Sequence, residues 1–245
     1  MNPIVTPYGE IGLSKKAQVT QMFNTISTNY DLLNQVLSLG IHHFWRRKAI
    51  DLLKPYQPKK ILDIATGTGD FAIEAMQLKP NKIIGIDIAE KMIVLAKKKI
   101  DSRFHGNDRE VIDFQLGDSE KLLFDNNSID AITIGFGVRN FEDLKLGLSE
   151  IHRVLKNKGA VVILEPAAPT AFPLKQLYSF YFKHILPQIG KIVCQDPHAY
   201  TYLHNSVNAF PQGNDFLQIC QKIGFQKTTF IPLTFGICAL YLLEK

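Results

Sequence analysis

Cysteine is scarce in this sequence and none of it is spaced for chemistry. Cys194, Cys220 and Cys238 are the only three in 245 residues. They lie far apart, match no metal or redox motif and exclude a disulfide framework, which points to a reducing compartment. Long apolar runs are also lacking: nothing approaches the roughly 18 residues that a membrane-spanning helix needs. The first twelve residues are polar and interrupted by proline and glycine, without the apolar stretch of a secretory signal. Seven histidines show no ligand spacing, so no metal site is expected. Internal repeats are absent. The charge excess is small, 28 Lys and Arg against 23 Asp and Glu. That balance suits an anionic membrane surface, nucleic acid or an acidic metabolite, and does not choose among them. Apolar residues, in contrast, make up 46% of the chain, enough for a core that needs neither disulfide nor metal. The expectation is a cytoplasmic globular protein.

After Ser14, the residues Val19, Met22, Phe23 and Ile26 follow helical spacing. A second helix is expected over about 31–39, stopping at Gly40, and a third from near Phe44 to the Pro55–Pro58 break. Residues 60–65 then form a short buried-strand pattern, followed by Thr66-Gly-Thr-Gly-Asp70 and a helix over 71–78. Strands are expected at 82–87, 111–116, 129–135 and 160–165, and helices at 90–100 and 141–155. Such alternation argues for a parallel sheet wrapped by helices. Residues 101–110 are polar and irregular, the pattern of a loop. From Phe172 the pattern changes: Leu174, Leu177, Tyr178, Tyr181, Phe182 and Ile185 make a broad apolar face, joined by Phe180 and Leu186. Two β-like runs split near Phe235-Gly236 end the sequence and should pair antiparallel.

The main chemical signal is Asp63, the glycine turn Gly67-Thr68-Gly69, and Asp87 at the end of the next strand. Glycines after a first strand let the backbone turn tightly against a ligand, and the helix that follows favours negative charge at its start. An acid closing the second strand suits ribose hydroxyls. Gly67-x-Gly69-x-x-Ala72 also satisfies the dinucleotide fingerprint, so a nicotinamide-dependent oxidoreductase and a ligandless βα turn both stay open. Asp63 favours S-adenosylmethionine, because a carboxylate before the loop would stabilise a cationic amino acid moiety and repel a pyrophosphate. The antiparallel strand pair points the same way, since a second mononucleotide-binding half would not supply it. Asp118, in Gly117-Asp118-Ser119 after the third strand, is placed to accept an adenine amino group; a solvated turn acid explains it equally.

These segments carry a resemblance. Tyr30-Asp31-Leu32-Leu33-Asn34, Ser38-x-Gly40-x-His42-x-x-Trp45-Arg46, Leu62-Asp63-x-Ala65-x-Gly67-Thr68-Gly69-Asp70, Phe136-Gly137-Val138-Arg139-Asn140, Tyr200-x-Tyr202-Leu203 and Leu233-Thr234-x-Gly236-Ile237 resemble the demethylmenaquinone and polyprenyl-benzoquinol C-methyltransferases. These are class I methyltransferases. The resemblance covers nearly the whole chain, and the Phe-Gly-x-Arg-Asn and Tyr-Asp-x-x-Asn segments are its distinctive parts. It implies an α/β, Rossmann-like, mostly parallel sheet with an antiparallel C-terminal strand and an N-terminal helical cap. A single domain follows: cap 1–58, cofactor-binding core 59–170, helical substrate-side insertion 171–225 and C-terminal strands 226–245. S-adenosylmethionine would be the cofactor, with contacts carried over onto Thr68, Asp87, Asp118 and Ser119. Asp63, Gly67 and Gly69 complete the expected cofactor site. The chain departs from the family pattern at Gly135, where serine is usual, at Pro166, and at Asn205 and Asn208.

Methylating a quinol ring carbon requires the ring hydroxyl to lose or share a proton, while orientation and exclusion of water supply most of the rest. The candidate catalytic residues are Arg139, Asn140 and Tyr30. Arg139 would stabilise phenolate charge or polarise a water; alternatively it pairs with a carboxylate, and Asn140 caps the helix that follows. Tyr30 would close over the ring from between two cap helices, and helix packing explains it as well. Lys97-Lys98-Lys99 and Arg46-Arg47-Lys48 read as solvated helix faces, with contact to anionic lipid as the alternative. The expected partner is a polyprenylated quinol, most simply demethylmenaquinol, its tail running along the apolar segment 172–186. A benzoquinol substrate, a degenerate non-catalytic homologue, peripheral membrane contact and a homodimer stay open. Nucleic acid is not expected as a partner, because the Asn/Asp-Pro-Pro-Tyr-like tetrapeptide of amino-group methylation is missing after strand four.

Overall fold

The computed structural model describes residues 5–9, 12–103, 107–169, 171–181, 196 and 198–245. Phe182, Ile185, Leu186 and Cys194 lie outside these. Seven strands, β1 (Lys60–Ile64), β2 (Lys82–Asp87), β3 (Ile112–Leu116), β4 (Ile129–Gly135), β5 (Leu155–Pro166), β6 (Lys227–Leu233) and β7 (Cys238–Glu244), form one sheet. Their order is β3-β2-β1-β4-β5-β7-β6. The first five run parallel, and β7 lies antiparallel between β5 and β6. Chain direction across the sheet reverses between β1 and β4, the place where open α/β sheets bind ligands at their carboxyl edge.

Successive side chains alternate across each strand, and both faces are covered, so the central strands read as almost unbroken apolar runs. Leu62, Ile64, Ile132, Ile134, Val161 and Ile163 pack on one face with Leu148 and Ile151. Ile61, Ile83, Ala131, Val162 and Leu164 pack on the other with Phe71, Ala49 and Leu53.

The cap consists of α1 (Lys15–Ile26), α2 (Tyr30–Ser38) and α3 (Ile41–Leu53). Ser14 caps α1, its hydroxyl accepting from the Ala17 N–H at 3.1 Å. Tyr30 and Asp31 belong to the first turn of α2, after a 3-10 turn at Ser27–Asn29, and do not lie between helices as expected. Helix α3 starts three residues earlier than its apolar stripe suggests. Leu39 and Gly40 turn the corner in left-handed conformations, φ 49° and 79°, and α3 begins at once. The helices around the sheet are α4 (Asp70–Ala75), α5 (Glu90–Arg103), α6 (Asn107–Val111), α7 (Leu144–Val154), α8 (Leu174–Phe180), α9 (His198–Ala209) and α10 (Asn214–Ile223). Most of the expected loop at 101–110 is therefore helix. Helix α7 is shorter than expected because Asp143 caps it, accepting from the N–H groups of Lys145 and Leu146. Asn140 is not the cap.

Among the described residues, no helix is long and apolar enough to cross a membrane.

Candidate functional site

Two cavities meet at the reversal point of the sheet, with Phe23, Tyr30 and Phe136 forming a wall common to both. The first is a cleft floored by Gly67, Asp87, Gly117, Asp118 and Ser119, with Gly135 and Asn140 on its far side. The second is an apolar cavity of about 500 Å³ between the cap, α8, α9 and the turn before β7.

Asp87 organises the cleft. One carboxylate oxygen accepts the Gly67 N–H at 2.8 Å and the other accepts the Ala89 N–H at 2.9 Å. Burial pushes its pKa up, although these backbone donors favour the charged form. Gly67 has φ +56° and Gly69 φ +84°, and a Cβ added at Gly69 would stand 2.5 Å from Phe114. Glycine is required there by conformation and by space.

Three expected cofactor contacts, Asp63, Thr68 and Gly69, do not line the cleft. Asp63 is wholly buried and accepts from Thr66 Oγ1 at 2.5 Å and Thr133 Oγ1 at 2.6 Å. Burial raises its pKa to about 6. Its side chain braces the turn because it pairs across the sheet with Thr133 on β4. Thr68 donates its hydroxyl to Asp31 at 2.6 Å and accepts from Lys99 Nζ at 2.8 Å. Gly69 packs on Phe114 and does not line the cleft. Gly67, Asp87, Asp118 and Ser119 do line it.

A chain of charges ties the cap to the glycine loop. Lys99 Nζ meets Asp31 at 2.6 Å and Asp70 at 2.8 Å, and Arg46 reaches Asp70 at 3.2 Å. The expectation of solvated faces therefore fails for Arg46 and Lys99, while Lys97, Lys98 and Arg47 are exposed. One signal was present: Met92, Ala96 and Lys99 follow i, i+4, i+7 spacing, which places the lysine on the inward stripe. Helix α1 closes the cleft from above. Lys16 pairs with Asp118 at 2.7 Å and Glu120 at 3.0 Å. Lys15 donates to the carbonyls of Arg139 at 3.0 Å and Phe141 at 2.7 Å. Burial, reinforced by the nearby Arg139 charge, lowers the Lys15 pKa to about 8.

Consecutive residues after β4 serve opposite cavities. Phe136 takes a left-handed conformation, φ 58°, at the strand end. Its carbonyl accepts from Arg139 and, at 3.2 Å, from Asn140 Nδ2. Asn140 lines the cleft and accepts from the Tyr202 hydroxyl at 3.1 Å. Arg139 lines the apolar cavity, and its Nη1 meets Glu165 at 3.0 Å. Neither side chain of that pair is more than 8% exposed. Arg139 Nε is buried without a partner among the described residues. The carboxylate alternative for Arg139 is thus present, with one buried N–H left unsatisfied.

Sequence reasoning missed Lys15, Lys16 and Glu165, whose roles depend on contacts across elements. His42 entered only as a motif position; it lines the apolar cavity with Trp45, Tyr178 and Tyr200. Of the departures, Gly135 lines the cleft and Pro166 the cavity. Asn205 and Asn208 are exposed on α9 and line neither.

The profile of the ubiE/COQ5 methyltransferase family matches residues 12–245. A demethylmenaquinone methyltransferase of Bacteroides fragilis is 47% identical over 242 residues, 98% of this chain and 97% of the relative. A ubiquinone/menaquinone biosynthesis C-methyltransferase of Citrifermentans bemidjiense is 43% identical over 95% of this chain and 99% of its own. Among solved structures, a SAM-dependent methyltransferase from Thermotoga maritima superposes with a TM-score of 0.63 over 92% of this chain and 98% of that one, at 17% identity. A second, from Methanococcus maripaludis, gives 0.59 over 89% and 91%, also at 17% identity. These two likenesses establish the class I methyltransferase fold.

Proposed function

This chain belongs to the ubiE/COQ5 methyltransferase family and is a methyltransferase, and from that premise we propose that it methylates a ring carbon of a polyprenylated quinol, with demethylmenaquinol as the substrate. The observation that carries this reading is the shared wall of the two cavities. A polar cleft built on Asp87 opens beside an apolar cavity of about 500 Å³ that contains a buried arginine. The names of the relatives support quinone biosynthesis.

The cleft residues fit S-adenosylmethionine. Gly67 offers an open face, since a Cβ there would meet only Tyr30, at 3.6 Å. Asp87 keeps lone pairs to accept from ribose hydroxyls, and Asp118 and Ser119 are the candidates for the adenine end. Asp63, Thr68 and Gly69 act one step back, holding the turn. When bound, the sulfonium supplies an electrophilic methyl group.

The chain's own residues then orient and activate the acceptor. Tyr30, on the common wall, positions the ring between cleft and cavity. Arg139, which borders the cavity, sets its positive charge beside the quinol oxygen as negative charge develops there, and Glu165 holds the guanidinium in place. Asn140, tied to Tyr202, keeps the polar edge of the ring site in register. The cavity excludes water from the reacting centre and takes the prenyl tail along Leu174, Leu177 and Tyr178. The cap, the sheet with its loops, the helical insertion and the last two strands form one catalytic domain, working in the cytoplasm against the membrane that stores the substrate.

Mass spectrometry of quinones from a host lacking its own enzyme tests the reading. Complementation should restore methylated menaquinone. Accumulation of demethylated quinone despite soluble, folded protein would overturn it, and methylated benzoquinone alone would move the substrate to the other ring.

A further inference from the structure

We propose that His42 distinguishes a quinol from a quinone in the apolar cavity, its Nε2 lone pair accepting a hydrogen bond from the second ring hydroxyl; the identity of that ligand rests on the function proposed above. His42 is a polar side chain in the cavity wall, 4% exposed, three residues before Trp45 on α3. Its two ring nitrogens are in different situations. Nδ1 lies 2.5 Å from Ser38 Oγ, and that hydroxyl donates its proton to the Asn34 carbonyl at 2.6 Å. Oγ therefore accepts, Nδ1 carries the ring proton, and Nε2 keeps its lone pair. Nε2 has no hydrogen-bond partner among the described residues and is not sealed in by packing. In a residue so little exposed that borders the cavity, the space open to that nitrogen is the cavity.

The ring is held in place and held neutral. Ser38 pins one side of it, and the His43 ring lies against it with centroids 4.1 Å apart. Burial, followed by the Arg46 charge, lowers its pKa to about 4, so Nε2 accepts a hydrogen bond near neutral pH without keeping the proton. Trp45 meets Phe136 edge to face, 6.5 Å between centroids, and the Phe136 carbonyl accepts from Arg139. Helix α3 and the turn after β4 are thus joined as two walls of one cavity, and a ring lodged there can offer one oxygen to each. Arg139 serves the oxygen on which negative charge develops. His42 takes the other, which stays a neutral hydroxyl and fixes which ring carbon faces the cleft. A quinol has a proton to give at that point. The oxidised quinone presents a carbonyl instead, whose lone pairs meet that of Nε2 with no hydrogen between them, and a polar pair left unmet in a buried site is costly. Only the reduced ring has a nucleophilic carbon, so the site selects the form that can be methylated.

Anaerobic calorimetry with 2-prenyl-1,4-naphthohydroquinone and with its quinone tests the assignment on the full chain. The wild type should bind the hydroquinone about tenfold more tightly, the worth of one hydrogen bond. His42→Asn keeps an amide donor towards Ser38 but has nothing at the Nε2 position, so it should lose the preference by weakening for the hydroquinone alone. His42→Gln, whose amide oxygen reaches the Nε2 position, should restore most of it. Ser38→Ala removes the group that fixes the tautomer and should reduce the preference part-way; it carries the test if His42→Asn does not fold. A role in packing alone would change both affinities together. Equal affinity of the wild type for the two forms, or an unchanged preference in His42→Asn or Ser38→Ala, would overturn the proposal. If the preference and its loss are seen while S-adenosylmethionine yields no methylated product, the hydroxyl site stands and the substrate reading fails.

Discussion

Arg139 and Glu165 meet at 3.0 Å behind the apolar cavity, and the arginine keeps its Nε–H free of any partner among the described residues. The carboxylate fixes the guanidinium where its residue borders the cavity, which puts a fixed cation next to the place where phenolate charge would develop. Arg139→Ala should therefore slow single-turnover methyl transfer by about 10²–10³, with cofactor affinity nearly intact. Arg139→Lys should rescue only partly, because an ammonium lacks the planar fork. The alanine variant should also melt lower, since it strands a buried carboxylate, so the rate is measured per folded molecule. A destabilised variant with wild-type turnover would assign Arg139 to the scaffold.

Asp87 has both oxygens engaged by backbone N–H groups, so its removal disturbs the Gly67 turn along with any ribose contact. Asp87→Ala should cost about 1.5–3 kcal/mol of S-adenosylmethionine affinity, the range for hydrogen bonds to a charged group. Calorimetry reads this directly. An unchanged dissociation constant would remove Asp87 from the site, and NAD bound in its place would redirect the cofactor reading.

His42 should make stability depend on pH. The Ser38 hydroxyl donates to the Asn34 carbonyl at 2.6 Å, so it accepts from His42 Nδ1, 2.5 Å away. Burial, then the charge of Arg46, lowers the imidazole pKa to about 4. Between an unfolded value of about 6.5 and that folded value, the unfolded chain binds the extra proton. This contribution is thus fully present above about pH 6.5 and is lost as pH falls towards 4. Asp63 runs the opposite way: its raised pKa of about 6 favours the folded state at low pH, a contribution lost as pH rises through 6. Denaturant unfolding of wild type and His42→Asn isolates the histidine. The difference in their stabilities should grow from pH 4 to 6.5 and then level off; parallel curves would contradict the buried, neutral ring.

Gly135 should not tolerate the serine usual in its relatives by resemblance. A Cβ there would lie 2.9 Å from Phe71 Cδ1, inside the core beneath the glycine loop. Gly135→Ser should cost about 1–3 kcal/mol, as overpacking does. Phe71→Leu should relieve part of it in a double-mutant cycle. Purely additive effects would mean that the ring is not the obstacle.

The sheet was legible because β1, β2, β4 and β5 are apolar on both faces and separated by helical periodicity. Gly67, Asp87 and Asp118 were legible because strand ends and turns impose local rules. What escaped depended on distant partners. Asp63 looks identical in sequence whether it faces a ligand or Thr133, and the β1–β4 register decides. Arg46 and Lys99 look like surface cations until Asp70 is brought between them and Asp31 against Lys99. Asn140 resembled a helix cap because the start of α7 was placed too early; Asp143 takes that position.

The placement of β7 between β5 and β6 has a consequence for synthesis on the ribosome. Of the described strands β7 is translated last, yet β6 touches the rest of the sheet only through it. Until residues 238–244 emerge, the run Ala160–Leu164 waits with one side of its backbone ladder unmatched. A nascent chain paused after Leu233 is therefore a partly built sheet with an open apolar edge, the form most prone to join a neighbouring copy. Insertion of the late strand completes the molecule and removes that hazard.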